Sequence, residues 1–444
     1  MPQQLCEFEE EAHAVDVRRT PMNTRDSNTL SRNSHFRNSK PVNTVFRGHS
    51  EGANAPDPSN CYRMLKLTWA RAAAWLVRRH HLDERAPAGS MLAVASRLCG
   101  LHAQVMSSAE LTAWARVEEL DRGAVRRALW EDRTLVKSWA MRGTLHLLPA
   151  SELPLWHAAL GTSRRYLKPA SWQKYFGLTI EDLDRLTEAV AAALDGRVMT
   201  REELGREVGR LTGSAAFAAK LVESTWGTML RPAAFAGHLC FGPSLGQRVR
   251  FTRPDTWLAA AGHTPGPPAD PQAATAAVTR RFLAVHGPAT YQDLARWWSG
   301  GGVSTARQWI AALGEEAAAV ELEGAPAWML AAHAREVREL PPGRSVRLLP
   351  AFDQYVVAAS CHAGRLLRGD FRGRVYRPQG WLSPVLLVNG RMEGTWRHEI
   401  KGSRVEVAIE PFVKAPVWVR RAAGQEAERL AAFLGGTLRL AWKS

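Results

Sequence analysis

The 444-residue chain contains no C-x-x-C pair and only five cysteines, Cys6, Cys61, Cys99, Cys240 and Cys361. An odd, scattered set of this kind excludes a disulfide framework and a cysteine zinc site, and reads as reduced thiols. No stretch approaches the roughly 18 uninterrupted apolar residues of a membrane span, so no membrane association is expected. The segment from Met1 to Glu11 is acidic and has no apolar signal core, which points to the cytoplasm rather than secretion. Acidic residues are in the minority: 43 Asp and Glu face 58 Lys and Arg, for a net charge of +15. Tyrosine is scarce as well, 6 against 17 tryptophans. Most of those tryptophans fall in helical apolar patterns, as Trp69 with Trp75 and Trp297 with Trp298, and are assigned to the core. What is present is ordinary for a globular chain, with 45% hydrophobic and 23% charged residues. At roughly 150 residues per domain the length suggests about three domains.

The charge is unevenly placed. Residues 1–63 carry 8 basic and 8 acidic side chains, so the whole surplus lies on residues 64–444. A pI of about 10.1 implies a polyanionic partner, and nucleic acid is the commonest. Within residues 1–63, Asn23, Asn28, Asn33, Asn38 and Asn43 each precede Ser or Thr. That repeat has no periodic apolar residue to bury, so residues 1–63 read as a disordered low-complexity tail, or as an over-extended start before Met64.

From Met64 the expected class is mainly α with β. Helices followed by a pair of short strands recur three times, the winged-helix layout. In residues 64–178 helices are expected from Thr68 to His81, from Ser90, from Ser107 and from Asp121 to Asp132, then strands at Leu135–Trp139 and Gly143–Leu148. In residues 179–262 helices run from Glu181 to Leu194, from a capping box at Thr200 and Glu203, and from Ala215 to Leu230, before strands at Gly237–Phe241 and Arg248–Thr252. In residues 272–340 the helices are Ala274–Val285, one opened by Thr290 and Asp293, and Ser304–Leu313, with strands at Ala318–Glu323 and Ala327–Leu330. Residues 341–444 turn to strands at Val346–Leu349, Tyr355–Ala358, Val385–Val388, Met392–Trp396 and Val405–Ile409, with a closing helix from Gly424 to Phe433. Asn389-Gly390 signals a hairpin inside this small C-terminal β domain, read as a partial barrel. Tandem winged helices without a heptad zipper favour a monomer that wraps a DNA duplex.

One segment carries chemistry: Leu98-Cys-Gly-Leu-His102-Ala-Gln104-Val-Met-Ser-Ser-Ala-Glu110. Gly100 is expected to end one helix in the left-handed conformation, and Ser107 with Glu110 to open the next by a capping box. His102 and Gln104 then lie in an extended joint, where residues two apart share a face. A proton-accepting imidazole beside an amide that donates and accepts can hold one water. The same spacing also fits a His102 that only packs and a Gln104 that only caps. In Met141–Leu147, strand alternation puts Arg142, Thr144 and His146 on one face, facing either a DNA channel or solvent. Arg365, Arg368, Arg372, Arg374 and Arg377 crowd a segment opposed only by Asp370, which suits phosphate contact or simple solvation. Asp353 is expected to be structurally fixed or to orient a channel arginine. His80 and His81 are read as partners of a helix C-terminal dipole.

The sequence resembles the AlkZ and YcaQ type of winged-helix DNA glycosylase from about Leu67 to Ala441. The stretches that carry the likeness are Gly100–Gln104, Ser138–Leu148, His238–Gly242, His286–Thr290 with Trp297-Trp298, Leu348–Tyr355 and Gly390–Arg397. The resemblance implies removal of alkylated purines, including bulky N7-guanine adducts and, in some members, interstrand cross-links. The family's catalytic motif is polar–apolar–polar, commonly Gln-x-Gln or Gln-x-Asp, and its place here is taken by His102-Ala103-Gln104. This His form resembles variants that protect producers from their own DNA-alkylating products. An N7-alkylguanine is already cationic and leaves easily, so a placed water suffices, and no lysine lies in the joint for a Schiff base. The expectation is a monofunctional hydrolytic glycosylase acting on double-stranded DNA at the nucleoid, with no metal and no cofactor. The competing expectation is a non-enzymatic winged-helix DNA-binding protein or transcription regulator, which would not need His102 and Gln104 at a helix joint.

Overall fold

In the computed structural model, Thr68 accepts a hydrogen bond from the Arg71 N–H at 3.3 Å and so opens helix α1 (Trp69–Arg79). Residues 64–162, 173–174, 177–223, 227–264, 266–299, 301–341 and 343–443 are described; the tail expected at 1–63 lies outside them. Alternate faces of α1 are used, because Ala73 and Val77 pack toward the C-terminal sheet while Ala72 and the fully buried Trp75 join a small separate cluster.

One order of elements occurs three times: a helix, a very short strand, two helices and a hairpin. First come α2 (Met91–Arg97), β2 (Leu101–His102), α3 (Met106–Trp114), α4 (Ala124–Trp130), β3 (Leu135–Trp139) and β4 (Leu145–Pro149), in sheet order β2-β4-β3. After α5 (Leu153–Gly161), the second round is α6 (Ile180–Ala193), β5 (Met199–Thr200), α7 (Arg201–Thr212), α8 (Ala215–Glu223), β6 (Cys240–Leu245) and β7 (Arg248–Thr252), ordered β5-β7-β6. The third is α9 (Pro271–His286), a single bridge between Ala289 and Trp328, α10 (Tyr291–Trp298), α11 (Val303–Ala311), β8 (Ala317–Leu322) and β9 (Ala325–Leu330). There the N-terminal β1 (Leu65–Leu67) adds a parallel strand to β8, pairing Leu65 with Val320. The three rounds are not independently cored. One apolar cluster runs from Cys99 to Leu313 and takes side chains from all three.

Beyond them lies a five-stranded sheet, β10 (Val346–Leu349), β11 (Val385–Val388), β12 (Arg391–Lys401), β13 (Arg404–Pro411) and β14 (Thr437–Trp442), in that order. It is an open sheet rather than the expected partial barrel, with its last strand parallel to β13 and the helix α13 (Val417–Phe433) packed on it. Asn389 and Gly390 form the anticipated hairpin turn at φ 49° and 77°. Gly390 also has to be glycine because a Cβ would stand 2.9 Å from the Ala73 carbonyl of α1.

Several expected elements change. The segment Tyr355–Ala358 is not a strand but a helix, α12 (Gln354–Ala358), because Asp353 caps it by accepting from the Tyr355 N–H at 2.9 Å. The strand expected from Gly143 starts only at Leu145, since Met141–Gly143 is a tight turn with Arg142 at φ 61°. The helix expected over Ala215–Leu230 is described over Ala215–Glu223, the chain at 227–230 is a turn, and a separate turn of helix covers Arg231–Phe235. The capping boxes at Thr200 with Glu203 and Thr290 with Asp293 are present as read. The one at Ser107 is not. That helix starts at Met106 after an uncapped Val105, and Glu110 is drawn away to Arg126 at 2.7 Å. No helix among the described residues is long and apolar enough to cross a membrane.

Candidate active site

The joint between α2 and α3 begins with a Schellman closure. The Gly100 N–H donates to the Ala95 carbonyl at 2.8 Å and the Cys99 N–H to the Ser96 carbonyl at 3.0 Å. Cys99 takes the left-handed position at φ 60°, with Gly100 following at φ 93°, so the expected cap moves by one residue. Gly100 is needed for another reason: a Cβ there would sit 2.7 Å from a Leu148 methyl carbon on β4. This close approach lets Leu101 and His102 pair with Leu147 and His146 across β4. The extended geometry continues through Ala103, whose N–H donates to the Leu145 carbonyl at 2.7 Å.

Leu101 and Ala103 turn into the apolar cluster of the first round. By alternation, His102 and Gln104 leave from the other side of the joint, as the sequence pattern requires. Gln104 Oε1 accepts from the Leu145 N–H at 3.5 Å, a long bond that leaves the amide NH2 unused by it. His102 is 5% exposed, and its Nδ1 is buried without a hydrogen-bond partner. Its ring lies flat on Phe352, with centroids 5.4 Å apart and planes at 8°, and meets His146 edge-on at 5.3 Å. Burial, helped by the Arg142 cation, pulls the His102 imidazole down to about 3. It is therefore a neutral base at neutral pH.

Arg142, Thr144 and His146 meet, but not as a strand face. His146 Nδ1 lies 3.0 Å from the Thr144 carbonyl, which fixes Nδ1 as the protonated nitrogen and leaves Nε2 to accept from Arg142 at 3.4 Å. Arg142 also donates to the Trp297 carbonyl at 3.1 Å. Burial first, and Arg142 second, hold the His146 imidazole well below the usual histidine range. Thr144 spends its hydroxyl inside the turn, donating to the Met141 carbonyl at 3.1 Å. Arg142 further lines a mostly apolar cavity of about 200 Å³ with His80, His286, Trp297 and Tyr355. His80 is buried there and held far below its ordinary range by desolvation, and His81 is lowered to about 4 by partial burial. Neither can serve as the cationic dipole partner that their place at the helix end suggested.

Asp353 is fully buried and clamped by an equally buried Arg116 through two bonds of 2.7 Å, Nη1 to Oδ2 and Nη2 to Oδ1. Arg116, a residue the sequence reading missed, also donates to the Thr112 carbonyl at 3.0 Å. On either side of Asp353, Phe352 stacks on His102 and the Gln354 amide donates to the Gly100 carbonyl. Three consecutive residues, about 250 positions away in sequence, thus brace the joint. Nothing local in the sequence marks Phe352 or Gln354 for this task.

The arginine-rich segment is less free than its sequence suggests. Arg365 pairs with Glu323 at 3.3 Å, Arg368 with Glu393 at 2.7 Å and Arg374 with Glu410 at 2.8 Å, where only Asp370 was expected to oppose them. Arg372 lies over the Tyr376 ring. Arg377 makes no ion pair among the described residues, and its N–H donates to the Trp381 carbonyl at 2.9 Å. Trp381 in turn packs edge-on against Phe352, with centroids 5.0 Å apart. Two aromatic rings, Trp381 and Phe352, thus link the end of the segment to His102.

Comparison with known proteins matches residues 95–433 to a family model described as DNA glycosylase AlkZ-like. An interstrand DNA cross-link repair glycosylase of Streptomyces sahachiroi is 37% identical over 376 residues, covering 84% of this chain and 98% of that protein. The solved structure of the Streptomyces sahachiroi DNA glycosylase AlkZ superposes with a TM-score of 0.75 at 35% identity, over 85% of this chain and all of that one.

Proposed function

This chain belongs to the AlkZ-like DNA glycosylase family, and from that premise we propose that it hydrolyses the N-glycosidic bond of alkylated purines in duplex DNA. The three repeated helix–hairpin units, read as winged helices with the C-terminal sheet beside them, would embrace the duplex as a monomer at the nucleoid. The observation that carries the reaction is a neutral, buried His102 sharing one side of an extended joint with Gln104.

The chemistry follows from the leaving group. Alkylation at N7 puts positive charge on the purine, so the bond from C1′ to the base breaks with its electrons passing to the ring. Water attacks C1′ from beneath the sugar, oriented by the Gln104 amide, and gives its proton to the His102 imidazole. Burial keeps the ring neutral and free to accept that proton, and it also lowers the basicity of the ring, so the positioning of the water carries most of the effect. Burial keeps both rings neutral, and Arg142, bonded to His146 rather than to a carboxylate, adds a nearby positive field in the same direction. Cross-links attached through a purine N7 present the same bond, and the Streptomyces sahachiroi relative is named for repair of that class of lesion.

The test is a duplex carrying one N7-methylguanine, incubated with excess protein and then cleaved at abasic sites by alkali. Cleavage well above the spontaneous rate at the modified position is expected. Cleavage no faster than in buffer, by a protein that binds the duplex, removes alkylated purines from the account.

A further inference from the structure

We propose that the cavity walled by Arg142, His80 and His286 binds an uncharged, flat aromatic group, hydrogen-bonded by the two histidines, and that its source is the aromatic substituent of a bulky alkylated purine. The second half rests on reading the chain as a glycosylase for alkylated purines. The cavity lies where α1, α9, α10 and α12 meet, and its volume is about 200 Å³. Protein interiors leave few voids larger than a water molecule, so a space of this size is built for an occupant. Phe282, Trp297 and Tyr355 supply buried aromatic walls, and the partly exposed Leu76, Ala358 and Leu382 mark its opening.

The polar groups on the wall are few and specific. Nδ1 of His80 and Nε2 of His286 are buried without a hydrogen-bond partner among the described residues, on rings whose centroids stand 5.2 Å apart. A single water between them would satisfy both nitrogens yet fill only a small part of the volume. Tyr355 spends its hydroxyl on the Gly390 carbonyl at 2.7 Å. Apolar cavities on the order of 150 Å³ take up benzene rather than water, and this one is of similar size. Charge is disfavoured as well. Arg142 and Arg296 face one carboxylate, Asp293, which already accepts from the Thr290 hydroxyl at 2.7 Å and lies 3.0 Å from His362 Nε2. A cationic purine is therefore turned away, whereas an uncharged ring can pack on the aromatic walls and bond the histidine nitrogens. Arg142 bonds His146, and His146 meets His102 edge-on, so two residues link the cavity to the proposed general base.

The test measures binding of free indole to the full chain and to Ala358→Leu and Leu76→Trp, which fill the cavity from two different helices. The parent is expected to bind indole about 3- to 10-fold more tightly than indene, its counterpart without the N–H, the worth of one hydrogen bond. Each filled variant should lose roughly 10-fold or more of the indole affinity. Matching thermal unfolding curves certify that the variants fold. Single-turnover excision then compares N7-benzylguanine with N7-methylguanine. The parent's preference for the benzyl adduct should fall about 10-fold in the filled variants, with the methyl rate within about 2-fold. No indole binding by the parent, indole no tighter than indene, or undiminished binding in both variants overturns the site. Lost indole binding with an unchanged benzyl preference overturns the substituent and leaves a free aromatic molecule as the ligand. Because indole binding is read without excision, it is decided independently of whether any alkylated purine is a substrate.

Discussion

Two arginines reach the surroundings of His102 and are treated in opposite ways. Arg116 is fully buried, and its charge is cancelled by a two-pronged pair with Asp353. Arg142 is half-buried and has no ion-pair partner among the described residues, only the Trp297 carbonyl and the His146 ring. The first is a strut: its pair fixes Phe352 and Gln354, and through them the joint that holds His102 and Gln104. The second leaves its positive field on the histidines, reinforcing the desolvation that keeps them neutral. Charge compensation thus separates scaffold from chemistry within one small volume.

The largest effect is expected where the uncompensated side is loaded with protons. His80, His102, His146 and His286 are all held below their ordinary range, chiefly by burial. The unfolded chain takes up protons near pH 6.5 that the folded chain refuses, so stability present above that pH is lost as the pH falls below it. Each histidine contributes up to about 1.4 kcal/mol per pH unit. Thermal unfolding should therefore shift steeply downward between about pH 6.5 and 5, and a flat profile there would contradict the neutral, buried rings.

Next in size is the strut. Asp353→Ala leaves Arg116 charged and unpaired in the interior, at a cost of about 3 to 5 kcal/mol in denaturant unfolding. Pairing it with Arg116→Met should recover much of the stability, since the unpaired charge is the source of the loss. The smallest stability change belongs to Arg142→Met, within about 1 kcal/mol, because no ion pair is broken. Its signature is kinetic. Removing the cation raises the His102 and His146 values, so the acid limb of excision moves to higher pH. The limb stays below the ordinary histidine value, because desolvation, the larger cause, remains.

How much of this was legible in the sequence depends on the range of the interactions. The capping boxes at Thr200 and Thr290 are local, and both form. The extended joint was legible from Gly100 and the spacing of His102 and Gln104, although Cys99 took the left-handed position. Ser107 and Glu110 fit the same capping pattern but fail, because Arg126 on α4 offers Glu110 a better partner. Tyr355–Ala358 has strand-like composition and becomes helical because Asp353 caps it from a position that Arg116 secures. The carboxylates Glu323, Glu393 and Glu410 reach the arginine segment from other strands and loops, which no local window reveals. The same holds for Phe352 over His102. Local rules picked out the joint that carries the proposed pair, and tertiary contacts decided what surrounds it.

The central claim is that His102 and Gln104 act on one water. Its most direct measurement is the single-turnover excision rate of N7-methylguanine for His102→Ala, Gln104→Ala and the double variant, with duplex affinity measured alongside. Since the cationic base already leaves readily, each single change should slow excision by about 10- to 100-fold, at the low end of general-base effects. Duplex affinity should barely move, and the double variant should be little slower than the slower single one, because the two side chains serve a single step. Excision by a folded double variant at the parental rate would contradict the account and remove this joint from the mechanism.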